Sequence, residues 1–352
     1  MRQPVAMHGG MIASPLWRAV VSAADTSLIP GQPARGIRGK IQWRDKPTCH
    51  TSGWAWFEQH PATRPPSIIA LTPPTPMRNS MTHTPSGTPL LQVEVVNQVA
   101  TLTLNSPTKR NALEPAMRDE LAGHIRTIRD DNSIRAVIIT GAGGHFCSGG
   151  DLRNIASANL DNGGWLRRMQ SLHQWVYDLM TLDRPVIAAV DGAAAGAGFS
   201  LAMAADFVLA TPRAWFNMSF LKVGLVPDVG AFYSLPRIVG VQRAKEIMLS
   251  ARDVSAQEAL RLGLVMELHE PDQLLARAQA MAQSFVGASP EAVALIKRSL
   301  QDALGGGLTS LLATEANAQS MAAGTAAHQE AVQRFLTKQP PLFAWPRHDS
   351  SS

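Results

Sequence analysis

The chain predicts an α/β protein whose last third is helical. Short apolar runs of strand length alternate with stretches of helical periodicity from residue 91 onward. Two of those runs, residues 136–140 and 186–190, each lead into a glycine-rich turn. After residue 255 the pattern is helical to residue 336. Alternating strands and helices are compatible with a right-handed coil of stacked ββα layers or with a parallel α/β sheet.

Taken in order, Leu91-Gln-Val-Glu-Val and Val99-Ala-Thr-Leu-Thr-Leu104 alternate as a hairpin of half-buried strands. A polar loop with Pro107 follows. A helix begins near Glu114, with Pro115 in its first turn, and carries Met117, Leu121, Ile125 and Ile128 on one face. The β-branched run Ala136-Val-Ile-Ile-Thr140 is a strand, and the turn Gly-Ala-Gly-Gly-His-Phe-Cys-Ser-Gly-Gly-Asp-Leu152 comes after it. Trp165, Met169, Leu172, Val176 and Leu179 mark a second amphipathic helix that ends before Pro185. Residues 186–190 form the next strand. Asp191-Gly192 turns the chain, a run of Ala and Gly follows, and residues 199–205 read as a buried helix. Residues 207–210 and 214–216 are short strands. Ser255 caps a helix with Glu258 placed for a capping box. Further helices are expected at 271–285, 290–304 and 308–336, and the many Ala and Leu on their faces exceed what one subunit needs for packing.

The net charge of +5 is unevenly spread. Residues 1–90 hold nine Lys/Arg and three Asp/Glu, whereas residues 91–352 hold 23 and 24. The second segment therefore gives no electrostatic reason to expect nucleic-acid binding. Residues 1–90 also carry more than half of the 24 prolines and four of the 8 Trp, without periodicity. They are expected to be a low-order arm, or the product of a start codon assigned upstream of Met77 or Met81. Arg18 interrupts the only apolar stretch a secretory signal would need, and Pro4, Gly9, Gly10 and Pro15 spoil a transit helix. The expected organisation is thus an arm (1–90), an α/β core (91–285), a helical region (286–343) and a tail (344–352). Cys49 and Cys147 make no disulfide framework and suit a reducing cytosol. Asp191 and Asp206 break the best candidate for a membrane span. The His residues lack metal-ligand spacing.

The two glycine-rich turns carry the chemistry. A helix starting near Gly196 aims free N–H groups and its positive dipole end at whatever lies there, an anion or a developing oxyanion. A tight packing joint is the competing reading. Phe146-Cys-Ser-Gly-Gly-Asp-Leu152, Val190-Asp-Gly-Ala-Ala-Ala-Gly-Ala-Gly198 and, third in order, Gly224-Leu-Val-Pro-Asp-Val-Gly230 with Leu235-Pro-Arg237 resemble the crotonase family, the enoyl-CoA hydratase/isomerase superfamily. The resemblance covers residues 91–343 and implies the ββα spiral, with a C-terminal region that assembles trimers or dimers of trimers.

The resemblance further implies an acyl-CoA substrate whose thioester carbonyl lies between the N–H groups of Gly150 and Ala197. It places Lys109, Arg110 and Ala112, and Ser148, Gly149, Asp151 and Leu152, in loops that meet CoA. Phe335 and Lys338 match a segment that closes over CoA. The two glutamates that activate water in typical hydratases are missing: Ser200 and Phe220 stand in their places. Asp228 matches a catalytic aspartate of dienoyl-CoA isomerases and of the ring-epoxide isomerases of phenylacetyl-CoA catabolism, although a helix N-cap after Pro227 is its plainer role. The expectation is a CoA-thioester isomerase, cytoplasmic (or of the mitochondrial matrix in a eukaryote), with no metal and no cofactor beyond the CoA of its substrate. A hydratase or hydrolase using Asp228 alone, and a non-catalytic CoA-binding protein, are the alternatives.

Overall fold

The computed structural model describes residues 89–347. The expected arm, with Cys49, lies outside them except for residues 89–90, as do residues 348–352 of the tail. Strands β1 (Leu91–Val96), β2 (Val99–Leu104), β3 (Ala136–Gly141), β4 (Val186–Val190), β6 (Phe207–Ala210) and β9 (Glu267–Leu268) form one six-stranded sheet in the order β1-β2-β3-β4-β6-β9. Only β1 and β2 pair antiparallel; the later neighbours are parallel. A second sheet orders β5 (Ala193–Ala195), β7 (Trp215–Asn217) and β8 (Asp253–Ser255). β4 and β6 each hand the chain to a strand of the second sheet, β5 and β7, and a helix follows each pair: α4 (Ala197–Met203) and α5 (Ala231–Ser250). Such repeating ββα turns decide for the stacked coil over a plain parallel sheet.

Both faces of the large sheet are covered, so its strands read as continuous apolar runs. Val99, Ala136, Ile138, Ile187, Ala189 and Leu209 pack under α7 (Pro271–Ser284) through Leu274, Ala278, Met281 and Ala282. The alternate residues, among them Leu102, Leu104, Val137, Ile139, Ala188 and Val190, face the main core. There they meet Met117, Leu121, Ile125 and Ile128 of α1 (Pro115–Asp130), and Leu172, Val176 and Leu179 of α3 (Asn162–Met180). β2 is thus buried on both faces rather than half-buried, because it lies between β1 and β3 and under α7.

Three further expectations are corrected, and one helix is added. The residues after Asp191-Gly192 are β5 rather than plain turn, bridged to the preceding glycine-rich loop at Cys147. α5 was not legible, because Pro236 and the kink at Gly240 (φ 76°) break its periodicity. The 308–336 helix is two helices, α9 (Leu308–Ala323) and α10 (Ala326–Leu336), with Thr325 capping the second through the His328 N–H. The capping box at α6 (Ala256–Arg261) is half a box: Ser255 accepts from the Glu258 N–H at 3.3 Å, but the Glu258 carboxylate pairs with Arg252 at 2.7 Å.

α8 (Pro290–Ala303) is pinned to the core by Arg298 on Asp183 (2.7 Å), by Lys297 on Asp206 and by Gln301 on the Met180 carbonyl (2.7 Å). α8, α9 and α10 bury no residue within the chain, and Leu300, Leu304, Leu308, Leu312 and Met321 stand exposed. No helix among the described residues is long and apolar enough to cross a membrane.

Candidate active site

β3 and β4 are parallel neighbours, with Thr140 beside Ala189. Their C-terminal ends release the two glycine-rich loops side by side, the place where parallel α/β sheets bind ligands. The loops are laced together by backbone hydrogen bonds. The Cys147 N–H donates to the Ala193 carbonyl, and the Ala195 N–H donates back to the Cys147 carbonyl, both at 2.9 Å. The approach is so close that a Cβ on Gly198 would lie 2.2 Å from the Cys147 carbonyl oxygen. One on Gly149 (φ +90°) would lie 2.6 Å from that of Ala195, so only glycine serves at either position. A third loop completes the platform. Fully buried Asn111 accepts from the Ser106 N–H (2.9 Å) and donates to the carbonyls of Ala142 (2.9 Å) and His145 (2.7 Å).

Among the described residues, neither the Gly150 nor the Ala197 N–H has a hydrogen-bond acceptor. Ala197 is the first residue of α4, where an N–H has no partner within the helix. Asp151 caps α2 (Leu152–Ser157), accepting from the N–H groups of Arg153 (2.9 Å) and Asn154 (3.3 Å), which fixes the peptide after Gly150. Both Gly150 and Ala197 line a cavity of about 310 Å³. Its apolar wall includes Leu152, Ile155, Trp165, Met169, Phe220, Val223 and Leu225.

Among the described residues, Asp228 is the one acid lining that cavity. It follows left-handed Gly224 and precedes Val229, a buried β-branched residue held at φ 52°. A β-branched residue in that region is strained, at a cost of roughly 1–3 kcal/mol, so the core overrides local preference to set this turn. The N-cap of α5 is Gly230, and the Asp228 side chain caps nothing: its Oδ1 is shut off from solvent with no hydrogen-bond partner. Burial pushes the carboxyl up to about 6, opposed by the nearby charges of Arg118 and Arg168 and by its own N–H.

Of the remaining expected positions, Ser148 lines the cavity, while its Oγ donates to the Lys109 carbonyl (3.0 Å) and its N–H to that of Arg110 (2.9 Å). Lys109 is exposed and paired with Glu114 at 2.8 Å, Arg110 is exposed, and Ala112 is buried beneath them. Ser200 is fully buried, turned toward the Gly196 carbonyl (3.4 Å) and away from the cavity, whereas Phe220 stands in the cavity wall. Phe335 and Lys338 are not brought to this cavity. Phe335 is exposed on α10, lining a groove with α8 residues Val293 and Ile296, and Lys338 follows the C-terminal turn of that helix.

Sequence reasoning missed Arg118 on α1 and Arg168 on α3, both lining the cavity. A signal existed for Arg168: with Trp165 and Leu172 it falls at i, i+3 and i+7, so it is a charge set in an apolar stripe. Cys147 is buried, and burial pushes its thiol up to about 12, as befits a packing residue. No three His, Cys, Asp or Glu side chains among the described residues are grouped to hold a metal.

Residues 94–345 match the family model described as enoyl-CoA hydratase/isomerase. A probable enoyl-CoA hydratase of Rhodobacter capsulatus is 38% identical over 254 residues, covering 72% of this chain and 97% of its own. A 1,2-epoxyphenylacetyl-CoA isomerase of Escherichia coli is 35% identical over 247 residues, covering 70% and 94%. Among solved structures, an enoyl-CoA hydratase/isomerase from Cupriavidus metallidurans superposes with a TM-score of 0.71 at 43% identity, over 74% of this chain and 98% of that one.

Proposed function

The chain belongs to the enoyl-CoA hydratase/isomerase (crotonase) family, and from that premise we propose that it is an acyl-CoA isomerase in which Asp228 is the sole acid/base. The observation that carries this reading is the cavity's single carboxylate among the described residues, with one oxygen desolvated and unpaired, in a wall where Phe220 supplies no base and from which Ser200 is absent, buried behind it. Asp228 takes a proton from a carbon conjugated with the thioester. The electron pair moves onto the carbonyl oxygen, where the N–H groups of Gly150 and Ala197 hold the negative charge. Asp228 then returns the proton at another carbon, the enolate collapses, and a double bond or ring has been rearranged with no net gain or loss of atoms. A carboxyl near 6 is a better base than an ordinary aspartate and still a competent acid. The likeness to the 1,2-epoxyphenylacetyl-CoA isomerase agrees with this chemistry.

Lys109, Arg110, Ala112 and the 148–152 loop would meet the CoA. The shuttle uses no cofactor apart from the CoA carried by the substrate. The exposed leucines of α8 and α9 support self-association as a trimer or dimer of trimers.

A second reading, hydration with Asp228 directing water, is favoured by the names of several relatives, among them the Rhodobacter protein. The two separate in one experiment. Enoyl-CoA thioesters in deuterated water should take up deuterium at carbon, as read by mass spectrometry, without losing enoyl absorbance. Loss of that absorbance with addition of water replaces the isomerase reading by the hydratase one.

A further inference from the structure

Most of the molecule's guanidinium groups that lie against the protein are paired. Arg129 is on Asp178, Arg213 on Asp191 and Arg252 on Glu246 and Glu258, while Arg184 donates to the carbonyls of Ile128, Asp131 and Ile134. Arg118 and Arg168 differ. Both line the catalytic cavity, and neither guanidinium makes a hydrogen bond or an ion pair among the described residues. Arg118 Nε is buried with no partner, and Arg168 lies 5.5 Å from the Trp165 ring centroid. Asp119, beside Arg118 in sequence, is exposed and within ion-pair range of neither. The cavity also takes in Lys222, so three cations face one acid, Asp228.

Arg118, Arg168 and Leu172 are shared with a second hollow of about 740 Å³ between α1 and α3. Its wall holds Trp175, whose Nε1 is likewise buried without an acceptor. Two of the four orphaned buried polar atoms among the described residues are therefore N–H donors in this one corner. Buried donors ordinarily find partners, and a guanidinium presents a fork that matches a carboxylate. Aliphatic or phenyl carbons alone would leave the buried Arg118 Nε unsatisfied and give the half-buried Arg168 guanidinium no counter-charge beyond Asp228.

The geometry points to a carboxylate at the far end of the acyl group: the substrate is a carboxylated acyl-CoA, held by its thioester on Gly150 and Ala197 and by its second acid on Arg118 and Arg168. This deepens the isomerase reading and rests on its placement of the thioester. Asp228 then works on the carbons between the two anchors, and the paired arginines keep the substrate's negative charge away from its own.

The test is calorimetric titration of the full-length chain with saturated thioesters in matched pairs: butyryl-CoA and succinyl-CoA, pentanoyl-CoA and glutaryl-CoA, hexanoyl-CoA and adipyl-CoA. In at least one pair the carboxylated member should bind about tenfold or more tightly than its methyl counterpart. Arg168→Met should erase that ratio, and Arg168→Lys should keep part of it. Equal or weaker binding of all three carboxylated members by the parent chain overturns the inference, as does a ratio that survives both Arg168→Met and Arg118→Met. Because these thioesters need only bind, a preference without deuterium uptake from enoyl-CoA removes the isomerase reading and keeps the carboxylate site. Uptake without any preference does the reverse.

Discussion

On the glycine-rich side of the cavity, backbone does the positioning. The N–H groups of Cys147, Ser148, Ala195 and Gly196 are each committed to a carbonyl of a neighbouring loop or strand, while those of Gly150 and Ala197 stay unpaired beside the cavity. On the opposite side, side chains do the work, and Arg118 Nε and Asp228 Oδ1 lack partners among the described residues. The first wall is a rigid donor pair that depends on chain path and hardly on side-chain chemistry. The second is open to titration, to substitution and to whatever ligand satisfies it. Preorganised donors stabilise charge because they need not reorient when it forms; a proton shuttle needs a group whose protonation can change.

The largest expected effect breaks the side-chain wall. Asp228→Asn keeps size and removes basicity, so kcat for deuterium uptake should fall about 10²–10⁴-fold, with CoA affinity little altered. An unchanged kcat would remove Asp228 from the chemistry. The backbone wall comes next. Ala197→Pro deletes one donor and should cost about 10²–10³ in kcat, whereas Ala197→Gly retains the N–H and should retain turnover. Comparable activity in the Pro variant would end the oxyanion assignment.

A third measurement separates the walls by pH. Asp228 must be ionised to accept a proton, so kcat/KM should rise with pH through about 6. The folded carboxyl sits above its unfolded value of ~3.9, so the native state binds the extra proton between those values, and stability falls as pH rises across that window, by on the order of 3 kcal/mol. Asp228→Asn lacks this fall; its melting temperature should gain on that of the parent between pH 4 and pH 7. A constant difference would mean that the carboxyl is not desolvated. Phe220→Ser should produce a smaller change, sliding the pH midpoint down toward the ordinary aspartate range as water enters. The least effect on chemistry is expected from Leu300→Glu with Leu304→Glu, which should lower the particle mass in light scattering and leave the cavity residues in place. An unaltered mass would show that these leucines join no subunits.

Much of this architecture was legible because covered parallel strands and amphipathic helices print their periods directly. Val137 to Ile139, and Met117 with Leu121, Ile125 and Ile128, are buried as their spacing requires. β5 was hidden, since Ala193–Ala195 reads as a small-residue turn until its partner Trp215–Asn217 is in place. α5 was hidden by Pro236 and Gly240. The resemblance of three motifs to the crotonase family pointed to Gly150, Ala197 and Asp228, which the fold gathers around one cavity. Arg118 stayed invisible for another reason. One residue from the buried Met117, it looks like a solvated flank until α3 packs alongside, and pairing across a helix interface leaves no trace in local sequence.

Cys147 sits in the loop proposed to cradle a thioester, and a thiol in that position is a natural acyl acceptor. Thioester exchange proceeds through the thiolate. With the thiol pushed up to about 12 by burial and wholly enclosed, Cys147 stays protonated at neutral pH. Its sulfur is further occupied as the acceptor of the Gly149 N–H at 3.4 Å. The strap that ties the two loops together is thereby also a form of chemical insulation: it encloses a sulfur that stays protonated beside the place proposed for the thioester.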